Sequence, residues 1–139
     1  MRFLAIDFGE RRIGVAVSDA SGTLPTPLTT LERRDDKSVI RLLLEIIQEE
    51  EIETLVVGDP RRLDGTVGDA ARRAQRFAEK LAAAADLPCE MVDEALTSVA
   101  ARERLHAAGV NTRRHPERID AVAAQIILEE ALARRGGRV

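Results

Sequence analysis

The order of short apolar runs and longer amphipathic stretches is the feature that most limits the fold of this chain. Three short apolar segments come first, joined by brief polar connections, and helical and strand-like segments alternate from residue 38 onward. Strands joined by short turns form antiparallel pairs, whereas strands joined through a helix run parallel. The sequence therefore predicts an α/β fold with a mixed five-stranded sheet, antiparallel in its first three strands and parallel afterwards, and with helices on both faces.

The boundaries of the segments follow from their periodicity. Residues 2–8 form a short apolar run typical of a buried strand, and residues 13–19 carry β-branched side chains at alternate positions. Pro25 and Pro27 are expected to break the following loop and to keep the third strand at an edge of the sheet. The remaining segments are strands at 28–31, 54–58 and 89–93 and helices at 38–51, 68–85, 97–108 and 116–135.

Length and composition favour one cytoplasmic domain. A chain of 139 residues can bury roughly 68% of its unfolded surface but has no room for a second full domain, so residues 1–139 are predicted to form one unit. Asp7 interrupts the first hydrophobic run, and no apolar stretch approaches the length of a membrane span. The single cysteine, Cys89, cannot form an internal disulfide and is predicted to be a core thiol.

Aromatic residues and charge restrict how such a chain could bind nucleic acid. Three Phe residues are its only aromatics, which excludes base recognition on an extended stacking platform, and the formal net charge is −3. Any polyanion site must therefore be local. Arginine pairs such as Arg11-Arg12 and Arg61-Arg62 suit bidentate contacts with phosphate, although any single pair is more often found on a solvated helix face.

Three acidic positions stand out as candidate catalytic groups. Asp7 lies inside an apolar strand, where a carboxylate is costly unless it is paired, hydrogen-bonded or bound to a cation, or unless it caps the local turn. Asp93 and Glu94 end another apolar run, and strand alternation sends them to opposite faces, so one of the two is expected to face Asp7. Asp120 borders the apolar stripe of the last helix, but could also be a surface residue favoured by the helix dipole.

Carboxylates that converge from two strand ends and a helix suit hard divalent cations. One or two Mg²⁺ or Mn²⁺ ions held in this way could support phosphodiester hydrolysis.

Four motifs in order resemble the YqgF/RuvX family of the RNase H-like superfamily. They are the segments 5–19 (AIDFGERRIGVAVSD), 56–66 (VVGDPRRLDGT), 93–98 (DEALTS) and 119–124 (IDAVAA). The resemblance implies an RNase H-like fold and a metal-dependent nuclease that processes the 5′ end of pre-16S rRNA, or alternatively resolves Holliday junctions. A resolvase would need two active sites on a symmetric junction, which a homodimer would supply.

Carried over by motif, the resemblance implies specific site residues. The acidic triad would be Asp7, Glu94 and Asp120, with Asp93 as a further ligand or a support for one. The family usually has Arg where this chain has Ala95, and we expect Arg11, Arg12, Arg61 or Arg62 to supply the missing phosphate contact. Asp59 stands where the family often carries an apolar residue. Neither His106 nor His115 is assigned a role.

Two other functions are compatible with parts of the sequence. The opening D-x-G-x-x-x-x-G also resembles the phosphate-binding hairpin of actin-like kinases, but those proteins close a second domain over the nucleotide. A non-catalytic nucleic-acid or ribosome-assembly module, silenced by the change at Ala95, is the other alternative.

Overall fold

Five strands and four helices are found in the computed structural model, which describes residues 1–60, 67–94 and 97–136. The strands are β1 (Phe3–Phe8), β2 (Arg12–Ser18), β3 (Pro25–Glu32), β4 (Thr54–Asp59) and β5 (Cys89–Asp93). The helices are α1 (Asp36–Glu49), α2 (Asp69–Ala85), α3 (Thr97–Ala107) and α4 (Pro116–Gly136). Over these ranges, no helix combines the length and the apolar content that crossing a membrane requires.

The strands form a single sheet in the order β3-β2-β1-β4-β5. β1 pairs antiparallel with β2 and parallel with β4, so it joins the two halves of the sheet. β2 pairs antiparallel with β3, and β4 pairs parallel with β5. The predicted mixed five-stranded sheet is therefore confirmed. Because β1, β4 and β5 run in the same direction, residues at their carboxyl ends lie at one end of the sheet, where open α/β sheets place their ligands.

Alternation along β1 and β4 gives the sheet two apolar faces. On one face, Leu4, Ile6, Leu55 and Val57 pack with side chains of α1 and α2, and on the other face shorter side chains pack with α4. α3 does not cover the sheet directly but packs on α4 through Ala101 and Leu105. Helices thus lie on both faces, as predicted. The buried residues on the α4 face are Phe3, Ala5, Ala16, Val56, Val92, Ala124, Ile127, Leu128 and Ala131.

The third strand is longer than predicted. Pro25 and Pro27 lie within β3, opposite Ser18 and Ala16, rather than in a loop before it. β3 is an edge strand, where alternate N–H groups have no partner strand to bond, so proline is tolerated there. The first helix also begins two residues early, at Asp36, because the Asp35 side chain caps it by accepting a hydrogen bond from the Ser38 N–H at 2.7 Å.

α4 approaches β2 closely at Gly14. A Cβ atom on Gly14 would overlap the backbone carbonyl of Asp120, so only glycine allows the helix to lie this close. Gly14 is also the register partner of Asp7 on β1. The contact therefore brings the backbone of Asp120 beside the strand pair that carries Asp7.

We expect Gly14→Ala to lower the free energy of unfolding by about 2 kcal/mol or more, because the new methyl group must displace helix backbone rather than a flexible side chain. Urea denaturation of the two proteins measures the difference. A Gly14→Ala protein as stable as wild type would show that α4 does not approach β2 this closely.

Candidate active site

Asp7 lies near the carboxyl end of the central strand, on the face that α4 covers. Phe3 and Ala5, four and two residues before it on the same strand, pack against α4, and alternation places Asp7 on that side. β1 is flanked by β2 and β4, and Asp7 is half-buried.

Glu94 reaches the same face from the end of β5. Val92 packs on the α4 face and Met91 on the opposite one, so the alternation brings Glu94 to the α4 side. Its backbone is held from two directions: the Glu94 N–H donates to the Asp59 carbonyl at 3.2 Å, and the Thr97 hydroxyl donates to the Glu94 carbonyl at 2.6 Å. The side chain is therefore presented from a fixed position.

Gly58 makes the contact between Glu94 and Asp7 possible. β4 lies between β1 and β5, so a side chain on β5 must cross β4 to meet one on β1. A Cβ atom on Gly58 would lie 2.6 Å from Glu94 Oε2 and 2.6 Å from Ile127 Cδ1, which shows that the Glu94 carboxyl group occupies the space left by the missing side chain. Through this gap Glu94 forms a hydrogen bond with the carboxyl group of Asp7.

The pair carries a shared proton because neither carboxyl group is well placed to ionise. Burial, reinforced by the nearby charge of Asp7, raises the pKa of Glu94 to about 10. Burial also raises the pKa of Asp7, and the charge of Asp120 adds to that rise, while the hydrogen bond from Glu94 opposes it. Two acids that share a proton in this way are a recurrent arrangement at functional sites.

Asp120 approaches from α4 but is held by an arginine. Its Oδ2 accepts a hydrogen bond from Arg12 Nε at 2.7 Å, and the side chains are 20% and 42% exposed. Burial raises the pKa of Asp120, and the Arg12 charge opposes this rise. At its first turn, α4 is also fixed to the edge strand, because the Thr30 hydroxyl donates to the Glu117 carbonyl at 2.6 Å.

Asp93 and Asp59 lie on the far side of the strands that carry Glu94 and Gly58. They are register partners, and by alternation both side chains face away from α4. Asp93 is exposed, whereas Asp59 is 3% exposed. The charges of both raise the pKa of Glu94, so they contribute to the site electrostatically. A role for Asp93 as a ligand remains a prediction.

Of the four arginines expected to bind phosphate, two fall within the described residues. Arg12 forms the ion pair with Asp120, and Arg11 is exposed in the turn between β1 and β2. Arg61 and Arg62 lie outside the described residues, as do Ala95 and the segment 64–66.

The two histidines and the cysteine make contacts with residues other than Asp7, Glu94 and Asp120. His106 Nε2 is 3.1 Å from the Thr112 hydroxyl, and His115 Nδ1 is 3.4 Å from Glu117 Oε1. Cys89 packs against the core between the sheet and α2, and burial raises the pKa of its thiol to about 11.

The carboxyl groups of Asp7, Glu94 and Asp120 suit a hard divalent cation, although they are not already arranged as a complete set of ligands. Within residues 1–60, 67–94 and 97–136, no three acidic, histidine or cysteine side chains are grouped closely enough to hold a metal ion together. Asp7 and Glu94 are adjacent carboxyl groups with raised pKa values, which is the chemistry that a cation favours. Asp120 is near enough for its charge to act on Asp7, but its carboxylate is bound to Arg12.

Two parts of this geometry were missed by the sequence analysis. The Gly58 gap has a signal in the sequence, since a glycine inside a buried apolar strand marks a close approach. The ion pair between Arg12 and Asp120 joins residues 108 positions apart, and nothing local in either segment indicates it.

Comparison with known proteins places the chain among nucleases. The family model described as RuvX, Holliday junction resolvase, matches residues 1–134. A proposed pre-16S rRNA nuclease of Thermosynechococcus vestitus is 44% identical over 132 residues, which cover 95% of this chain and 87% of the relative. One from Maridesulfovibrio salexigens is 40% identical over 134 residues, covering 96% and 99%.

Solved structures with the same fold include Holliday junction resolvases. RuvC of Thermus thermophilus in complex with a Holliday junction substrate matches with a TM-score of 0.60 at 16% identity, covering 99% of this chain and 96% of that one. The fowlpox virus Holliday junction resolvase matches with a TM-score of 0.57 at 10% identity, with complete coverage of both chains. At these identities the likeness establishes a shared fold, and the predicted RNase H-like fold is confirmed.

We expect Gly58→Ala to remove activity while sparing most of the stability. The new methyl group meets only the ends of the Glu94 and Ile127 side chains, which can move, so the cost should be about 1 kcal/mol, but Glu94 can no longer reach Asp7. Nuclease assays and urea denaturation on the same preparations separate the two effects. Gly109→Ala, at a φ of +81° with open space around it, is the control for a substitution that costs stability alone. Full activity in Gly58→Ala would contradict this account of the gap.

Glu94→Gln should stabilise the metal-free protein increasingly as pH rises. Since the pKa of Glu94 is raised to about 10 in the folded state, the unfolded chain loses its proton near pH 4.5 while the folded protein retains it, and wild-type stability falls across that window. Gln does not titrate and can still donate to Asp7. Melting temperatures in EDTA at pH 5, 7 and 9 test this, with Glu103→Gln, on the exposed surface of α3, as the control for removing one charge. A difference that stays constant with pH would count against the shared proton.

Proposed function

Because the chain belongs to the RuvX family of Holliday junction resolvases, we propose that it is a divalent-metal-dependent nuclease that hydrolyses phosphodiester bonds in structured nucleic acid. The reaction proposed is processing of the 5′ end of pre-16S rRNA, the substrate named for its relatives. Residues 1–139 form one nuclease domain in this proposal.

The hydrogen-bonded carboxyl pair of Asp7 and Glu94 carries the proposal. Two acids held together across Gly58, with a third carboxylate close by on α4, are costly to gather without a cation or a proton between them. Packing does not explain this arrangement, since apolar side chains form the core on the rest of the same face.

We assign the binding of one or two Mg²⁺ or Mn²⁺ ions to Asp7, Glu94 and Asp120. Such ions stabilise the charge that develops on the attacking and leaving oxygens of a phosphodiester. The protein fixes Glu94 through the backbone bonds to Asp59 and Thr97 and fixes Asp7 between two paired strands. Arg12, which pairs with Asp120, and Arg11, which is exposed in the preceding turn, have guanidinium groups that can contact backbone phosphate.

Recognition of the sugar–phosphate backbone suits the surface better than base stacking does. The only aromatic residues, Phe3, Phe8 and Phe77, are 3%, 8% and 0% exposed. The guanidinium carbon of Arg135 lies 4.7 Å from the ring centroid of Phe3, and that of Arg33 lies 4.7 Å from that of Phe8. Bases therefore have no aromatic surface on which to stack, and the protein is expected to bind by backbone shape.

Resolution of Holliday junctions is the second candidate, favoured by the description of the matching family. A resolvase cuts two strands of a symmetric junction and so acts with two active sites, which makes a homodimer part of this candidate. Product mapping on both substrates distinguishes the two.

We expect Asp7→Asn to reduce cleavage by at least about 100-fold, because it removes one carboxylate of the pair. A pre-16S rRNA fragment and a four-way DNA junction are each incubated with Mn²⁺, Mg²⁺ or EDTA, and the products are mapped. Asp86→Asn is the matched control. Asp86 caps the C-terminal end of α2 and has a φ of 54°, a conformation that asparagine accommodates.

The possible outcomes separate the functions. Metal-dependent cleavage of the rRNA alone supports the rRNA reaction, and paired symmetric cuts in the junction support resolution. Cleavage in EDTA, or equal cleavage by Asp7→Asn, contradicts a metal-dependent nuclease. Structure-selective binding without cleavage under any metal favours the non-catalytic module.

A further inference from the structure

The ion pair between Arg12 and Asp120 occupies a carboxylate that is also proposed to bind a metal ion. Arg12 begins β2 and Asp120 lies in the second turn of α4, and Arg12 Nε lies 2.7 Å from Asp120 Oδ2. Asp120 is the group proposed to join Asp7 and Glu94 in binding a cation. A carboxylate oxygen that accepts a guanidinium N–H at this distance is not available to a metal ion from the same direction.

The arginine is positioned to leave that contact. Its side chain is 42% exposed, against 20% for Asp120, so the guanidinium lies at the rim and the carboxylate further in. The bond uses Nε, and neither Nη atom donates to any other residue in the described part of the chain. Arginine keeps its charge at any physiological pH and binds phosphate with two parallel hydrogen bonds.

The negative charges around Asp120 explain why its carboxylate pairs with a positively charged group. Asp7 and Glu94 share a proton, whereas the charge of Asp120 raises the pKa of Asp7 and the charge of Glu117 in turn raises the pKa of Asp120. Arg12 supplies the compensating positive charge. A divalent cation between the three carboxyl groups would supply the same compensation more strongly and would make the arginine redundant there.

From this geometry we propose that Arg12 is an exchangeable counterion: it occupies Asp120 until a divalent cation takes that carboxylate, and the released guanidinium then binds a phosphate of the nucleic acid backbone. Arg12 is thus a positioning residue that couples metal binding to substrate binding. This inference rests on the proposed metal-dependent function. It adds competition between Arg12 and the metal ion for Asp120, which the function alone does not require.

The proposal predicts opposite effects of Arg12→Gln on the two ligands. Removing the competing charge should tighten Mn²⁺ binding about 5- to 10-fold, measured by calorimetry without nucleic acid. With Ca²⁺ present to limit cleavage, the affinity for a labelled four-way DNA junction and for a labelled pre-16S rRNA duplex should fall about 5- to 10-fold. The slope of log affinity against log salt should lose about one unit. In EDTA, where the arginine is still held by Asp120, the loss should be no more than about twofold.

Two further variants show whether the effect passes through Asp120. Arg11→Gln removes the same charge one residue away, from an exposed side chain, and should change Mn²⁺ affinity less than about twofold. In an Asp120→Asn background, Arg12→Gln should no longer tighten Mn²⁺ binding, because the group that the metal and the arginine share is gone.

Each result decides between the inference and the function on which it rests. Unchanged or weaker Mn²⁺ binding by Arg12→Gln, with metal-dependent cleavage intact in wild type, overturns the counterion exchange and leaves the nuclease standing. Tightening of equal size in Arg11→Gln also overturns it, since bulk charge would then explain the effect. Failure of the wild-type protein to bind Mn²⁺ at all overturns both.

Discussion

The close approach of α4 to β2 at Gly14 is the contact on which the candidate site depends. It places helix backbone directly against the strand that pairs with β1, at the residue opposite Asp7. A larger residue at position 14 would push the helix outward, and Asp120 would move with it. On the sheet face beneath α4, Ala5 and Ala16 lie among the buried residues, and their small side chains leave room for the helix to pack close to the sheet.

Much of the fold could be predicted from the sequence because each element carries its own signal. The strand at 54–58 and the helix at 68–85 were located to within one residue, since buried β-branched runs and an amphipathic stripe are local properties. The length of β3 is underestimated from the sequence because proline disfavours strand pairing in general. Proline is tolerated in β3 because this strand lies at the edge of the sheet.

The candidate site was predicted less completely, for a physical reason. Alternation limited the choice between Asp93 and Glu94, and the structure brings Glu94 to the face of Asp7. The way the two meet depends on β4 lying between them and on Gly58 leaving a gap, which is a matter of strand order rather than of local pattern. The pairing of Arg12 with Asp120 is non-local in the same sense, so the residues could be named while their mutual contacts could not.

The assembly of the three carboxyl groups from distant parts of the chain also ties this site to the order in which the molecule acquires structure. Contacts between residues that are far apart in sequence form late in folding, because long loops must close first. Arg12 and Asp120 are 108 positions apart, so a chain whose sheet has formed but whose last helix has not docked contains Asp7 and Glu94 without their third neighbour. The three carboxyl groups therefore come together only in the complete fold, with α4 packed on the sheet.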